Sequence, residues 1–99
     1  MAERTDWQRL RERRMAEPGA ADAYEATRLA HDLGKTVREL REARDWTQAR
    51  LAAEAGMTQS AVARFEAGGT VPTIPVLERL AHALEAELHV RITPRLSTV

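Results

Sequence analysis

Near the middle of this 99-residue chain stand Gln59, Ser60 and Arg64, three residues whose side chains form directional hydrogen bonds. A Gln amide can give two bonds to an adenine edge and an Arg fork two to guanine, each pairing worth about 1–3 kcal/mol of discrimination. A second set suits phosphate: the hydroxyls of Thr47, Thr58 and Thr70, the amide of Gln48, and the guanidiniums of Arg44 and Arg50. Base-edge contacts specify a sequence, whereas phosphate contacts only position the protein on it. Both kinds of group are therefore available within one short stretch.

Catalytic chemistry has far less to work with. Cysteine is absent, and His31, His82 and His89 have no metal-ligand spacing with one another. There is no Gly-rich phosphate loop and no nucleophile elbow. The Asp and Glu residues have basic neighbours at helical spacing, the pattern of a solvated face. No enzyme activity, metal or cofactor is expected.

The polar groups need elements to hold them. Residues 47–66 read as two short helices with a tight turn between. Thr47 and Thr58 are placed to cap helix starts. Leu51, Ala52 and Ala55 recur at helical spacing, as do Val62, Phe65 and Glu66. Gly56 falls between them, where a helix ends in a left-handed residue. This is helix-turn-helix geometry, in which the second helix enters the DNA major groove. Gln59 and Ser60 then occupy its first turn, with Arg64 one turn further along the same face.

Upstream, a helix is predicted from a cap at Asp22, with Leu29, Leu33, Val37 and Leu40 as its apolar stripe and Tyr24 and Ala26 at its start. Gly34 costs about 1 kcal/mol relative to Ala inside a helix, so a bend or a fresh start is expected there. Asp45-Trp46 ends the helix, and Trp46 is assigned to the corner between the first two helices of the domain. Downstream, residues 67–73 form a loop whose Gly68 and Gly69 imply close approach of backbone to a neighbouring helix or a phosphate. Thr73 caps a further helix that tolerates Pro75 in its first turn and carries Leu77, Leu80, Ala81 and Leu84.

The period then changes to two. Leu88, Val90 and Ile92 alternate with His89, Arg91 and Thr93, as in a strand, and Pro94 closes it. One strand in a helical chain needs a partner edge. Leu88–Thr93 is therefore expected to pair with a second copy across a two-fold axis; the alternative is extended chain lying along the core. At the other end, residues 1–17 place Trp7, Leu10 and Arg14 on one narrow stripe among many charges, and Pro18-Gly19 breaks the chain. That segment is either a solvated terminus or one that folds on a partner with Trp7 as anchor. The predicted division is an extension over 1–21, a DNA-binding domain over 22–87, a dimerising strand over 88–94 and a loose tail over 95–99.

The formal net charge is +0, so one copy alone should hold DNA weakly. Aromatic residues are 4% of the chain, which leaves the core to aliphatic side chains. No apolar run resembles a signal peptide or approaches the length of a membrane span. A cytoplasmic bacterial protein is expected, with no membrane partner.

From about Leu33 to Leu88 the chain resembles the phage repressor/Cro (XRE) family. The residues that carry the likeness are Arg41, Gln48, Ala52, Gly56, Gln59, Ser60 and Glu66. The resemblance implies an all-α, four- to five-helix, lambda-repressor-like domain, here with an N-terminal helical extension and one short C-terminal β-strand for dimerisation. It implies that Gln59, Ser60 and Arg64 read bases and that Gln48 clamps a phosphate while touching the recognition helix. It also implies a structural ion pair between Arg41 and Glu66. The small size, N-terminal extension and C-terminal strand further resemble HigA-type antitoxins. That likeness implies a homodimer on an inverted repeat of double-stranded DNA and a small RelE/HigB-type toxin, an mRNA-cleaving partner held through Trp7, Leu10, Arg14 and Tyr24. The rival reading is a stand-alone regulator of the same family with no toxin.

Overall fold

The structure, a computed structural model, describes residues 20–96. Four helices follow in order: α1 (Ala20–Ala43), α2 (Gln48–Ala55), α3 (Gln59–Glu66) and α4 (Ile74–Ala83). Their common core holds Leu51, Leu80 and Val62 fully buried, with Val37, Ala52, Ala55, Phe65 and Leu84 around them. Every core side chain except Phe65 is aliphatic. Trp7, Leu10 and Arg14 lie outside the described residues, and so do residues 97–99.

Short side chains set the local starts. Thr47 Oγ1 accepts from the Arg50 N–H at 3.0 Å, Thr58 Oγ1 from Ala61 at 3.1 Å and Thr73 Oγ1 from Val76 at 3.4 Å. Each satisfies one N–H that the first turn of its helix leaves without a backbone partner. Helix α1 instead begins at Ala20, two residues ahead of the cap expected at Asp22.

The four helices also share one way of ending. After each, a residue with positive φ turns the chain: Asp45 (φ 56), Gly56 (φ 66), Gly68 (φ 76) and Glu85 (φ 52). The next N–H then bonds back across the last turn: Trp46 to the Arg41 carbonyl at 3.2 Å, Met57 to Ala52 at 2.9 Å, Gly69 to Arg64 at 2.9 Å and Ala86 to Ala81 at 2.8 Å. These are Schellman closures. Two of the four lack the glycine that such a position favours, because any L-residue there brings its Cβ against the backbone. The Glu85 side chain bonds no nearby backbone group to offset this; it is 80% exposed, and its contact with Arg44 at 3.2 Å is a surface ion pair of small worth. Glu85→Gly is therefore expected to raise stability by roughly 0.5–1 kcal/mol, the left-handed penalty less the added freedom of an unfolded glycine. A denaturant midpoint that stays put or falls would contradict this.

Helix α1 runs its 24 residues without a break, so the fresh start expected as one alternative at Gly34 does not occur. Gly34 is buried, and a Cβ on it would meet the carbonyl oxygens of Phe65 and Glu66, the latter at 2.8 Å. The glycine lets α1 cross the end of α3 at backbone contact. The inward stripe of α1 is thereby Ala30, Gly34, Val37 and Arg41, stepping by four, three and four. The stripe expected through Leu29, Leu33, Val37 and Leu40 is displaced: Leu33 and Val37 face the core, while Leu29 and Leu40 stand 59% and 40% exposed. Small residues line the crossing because bulky ones would hold the two helices apart, and the larger leucines flank it. Gly68 makes a similar approach, its missing Cβ leaving room for His31 Cα at 2.9 Å. Of the two neighbours expected for the glycine pair, the structure supplies a helix.

No strand forms among the described residues. The alternating stretch from Leu88 follows α4 with no regular secondary structure, since a single copy offers it no second edge to bond. Leu88 is half-buried and borders an apolar groove with Leu33 and Leu77. Val90 and Ile92 are 63% and 95% exposed.

Candidate nucleic-acid interface

Helix α3 has two unlike faces. Val62, Phe65 and Glu66 are buried against the rest of the domain. Gln59, Ser60 and Arg64 are exposed, with half-buried Ala63 between the first pair and the last. The structure thus brings the three expected base-reading residues onto one open surface. Among the described residues no side-chain hydrogen bond or ion pair engages any of them. A row of polar groups spaced along one exposed helical face can lie along base edges in a groove.

What holds that face in position is a polar cluster behind it. Arg41 Nε donates to Glu66 Oε2 at 2.7 Å and Nη2 to Glu66 Oε1 at 3.0 Å, a two-pronged ion pair. The third arm, Nη1, donates to the Trp46 carbonyl at 2.7 Å. Gln48 Nε2 reaches the same Glu66 Oε1 at 3.2 Å. One carboxylate at the end of α3 therefore ties together α1, the α1–α2 link and the start of α2. The side chains of Arg41 and Glu66 are 12% and 3% exposed. Among the described residues no buried side-chain polar atom lacks a partner. Full satisfaction is what makes such a buried pair tolerable at all.

The hydrogen bond to Glu66 pushes the Arg41 guanidinium above its already high ordinary value. Burial pulls the other way, and the charges of Glu66 and Glu42 add to the rise. A raised basic group contributes stability below its unfolded value and loses it only as pH climbs through the folded one. For an arginine that window lies in strong alkali, so the guanidinium side of the clamp stays charged at every ordinary pH.

The residues expected on phosphate fall around the start of α2 and the two turns. Thr47 and Thr58 are exposed, and each uses its hydroxyl oxygen as a cap, which leaves the hydroxyl proton able to donate. Gln48 is half-buried, with one amide proton engaged by Glu66. Thr70 is exposed in the bend before α4. Arg50 is bonded to Glu54 at 3.1 Å and Arg44 to Glu85 at 3.2 Å. Both guanidiniums also lie over the Trp46 ring, at 5.1 Å for Arg44 and 4.8 Å for Arg50. The core role expected of Trp46 is therefore half of its environment: the ring packs on the core and also stacks with two cations. Sequence reasoning missed this pairing, although the spacing Arg44, Trp46, Arg50 across a helix end was its signal.

Elsewhere the described residues offer less. No three His, Asp or Glu side chains converge to hold a metal ion. No described helix is long and apolar enough to cross a membrane. Tyr24, expected on a toxin, is 53% exposed on the outer part of α1, where every side chain from residue 23 to residue 29 is exposed.

The helix-turn-helix domain family matches this chain over residues 32–91, from the second half of α1 into the stretch that follows α4. No curated protein and no solved structure matches it.

Proposed function

The chain belongs to the helix-turn-helix domain family, and from that premise we propose that it is a homodimeric, sequence-specific repressor that serves as the antitoxin of a HigBA-like pair. DNA binding is the common property of the family, whose members are typically non-enzymatic. The observation that carries the reading is the division of α3. Its exposed face bears Gln59, Ser60 and Arg64 with no partner among the described residues, while its buried face is clamped through Glu66. Gln59, Ser60 and Arg64 read bases. Thr47, Gln48, Arg44, Arg50, Thr58 and Thr70 contact phosphates, with the free N–H groups of α2 aimed at the backbone. Leu88, Val90 and Ile92 pair with a second copy, which sets two recognition helices roughly 34 Å apart on an inverted repeat.

Selection of bound sequences from a random duplex pool tests the DNA reading, and an enriched inverted repeat is the expected result. On that site Arg64→Ala should weaken binding roughly 5- to 150-fold, the value of one two-bond base contact, with its melting temperature unchanged. Equal retention of all sequences would refute the specific-repressor reading.

The antitoxin role rests on the sequence of the N-terminal extension and on the open outer turns of α1. Trp7, Leu10, Arg14 and Tyr24 hold the toxin, and neutralisation of its mRNA cleavage accompanies autoregulation of the operon. Purification from the native locus, followed by native mass spectrometry, should yield a complex of two copies with a small basic neighbour. A bare dimer would favour the stand-alone regulator instead, and a bare monomer would remove the dimer as well.

A further inference from the structure

Arg44 follows the last turn of α1, Trp46 lies in the link, and Arg50 is in the first turn of α2. The Schellman closure at Asp45 folds the link back, so that residues two before and four after Trp46 both bring a guanidinium to its ring. The two distances, 5.1 and 4.8 Å, are inside the range in which a cation is held by an aromatic face. Two like charges on one ring repel each other. Here each is answered by its own carboxylate, Glu85 for Arg44 and Glu54 for Arg50.

Those carboxylates are weak holders. Glu85 is 80% exposed, and the Arg50–Glu54 pair is open to water at both ends. In the order Arg then Glu, that pair also has the less favourable direction along a helix. Pairs of this kind exchange readily for a stronger anion. A chain of net charge +0 has no general attraction for DNA, so its cations must be concentrated where the backbone passes and freed when it arrives.

We propose that Trp46 is a positioning residue for DNA binding: its indole holds Arg44 and Arg50 as a two-armed phosphate cradle that Glu54 and Glu85 occupy in the free protein. The proposal rests on the helix-turn-helix reading and adds to it how the phosphate contacts are presented. Phosphate displaces the two carboxylates, and the ring keeps both arms from dispersing into solvent in the interval. The cradle is indifferent to sequence.

The test uses the full chain and a mixed-sequence DNA duplex, titrated across a range of salt. Each phosphate neutralised contributes about 0.9 to the slope of log affinity against log salt. The double variant Arg44→Gln/Arg50→Gln is expected to lose about 1.8 from that slope. Trp46→Leu should weaken low-salt binding roughly tenfold, with Trp46→Phe between it and the parent, since two modest cation–ring contacts and the ordering of both arms are lost. Removing the competing acids, Glu54→Gln/Glu85→Gln, should tighten binding several-fold. That gain should vanish when Trp46 is leucine, because unheld arms have nothing to release, and a general charge effect would persist. A parental slope in the double-arginine variant would overturn the cradle. So would a gain from the acid variants that is equal with and without Trp46. If Trp46→Leu folds poorly, the slope of the double-arginine variant still decides. The acid variants are then compared in Trp46→Phe, where the weaker ring should shrink their gain, and an undiminished gain would overturn the cradle. A parent protein without any salt-dependent duplex binding would overturn the helix-turn-helix reading and the cradle together, whereas a binding parent with unaltered variants overturns the cradle alone.

Discussion

Gly34→Ala is expected to destabilise the domain by about 1–3 kcal/mol and to weaken DNA binding. In an open helix the same change would stabilise by about 1 kcal/mol, so even its sign tests the crossing. A Cβ at Gly34 would lie against the Phe65 carbonyl oxygen and 2.8 Å from that of Glu66. Both obstacles are backbone, so no side-chain rotation relieves them. The remaining relief is to move α1 away from the end of α3, which opens the core at Val37 and stretches the Arg41–Glu66 pair. For a domain of this size each 1 kcal/mol lost lowers the melting temperature by roughly 4–8 °C. Thermal unfolding of the purified variant measures this directly. A melting temperature equal to or above the parent's would mean that α1 and α3 are not packed as described.

Glu66→Ala is expected to cost about 3–5 kcal/mol, because it leaves the Arg41 guanidinium buried with the Trp46 carbonyl as its one hydrogen-bond acceptor. Only the exposed Glu42 carboxylate, 3.8 Å away, then answers its charge. Whole-domain stability is of the order of 5–15 kcal/mol, so this one change removes a large share of it. The loss is not the net worth of the pair. Arg41→Met/Glu66→Leu, which removes both charges and keeps the volume, should recover most of the stability, since no charge is then stranded. Gln48 loses its partner in both variants. Duplex affinity in the double variant therefore reports how far the clamp, as distinct from mere folding, orients α3. Denaturant unfolding of the parent, Arg41→Met, Glu66→Leu and the double variant gives the coupling energy. A coupling below about 1 kcal/mol would place the pair with ordinary surface ion pairs, against the 3% exposure of Glu66.

Local chemistry was legible from the chain alone. A threonine hydroxyl reaches an N–H three residues on whatever the rest of the protein does, and Thr47, Thr58 and Thr73 each cap a helix. Gly56 ends α2 because positive φ is a property of the residue itself. Helical spacing placed Leu51, Ala52, Ala55, Val62 and Phe65 in the core, since each of those helices is short and meets the core along one stripe. The family pattern led to Arg41, Glu66 and Gln48, three residues whose partners are far apart along the chain.

What depended on distant surfaces was hidden or misread. Hydrophobicity pointed to Leu29 and Leu40, yet α1 presents Ala30 and Gly34 at the crossing, because which residue is small matters there more than which is apolar. Trp46 packs on the core as expected, but the two arginines at its ring were visible only once the chain had folded. Asp45 and Glu85 gave no sign of positive φ, a conformation imposed by the closures that follow α1 and α4. The alternation at Leu88–Thr93 describes a chain able to pair, but a ladder needs a second edge. Helices, their caps and the polar residues exposed on α3 follow from neighbours within a few positions along the chain. Which faces meet follows from packing in three dimensions, because it turns on how closely two backbones can approach.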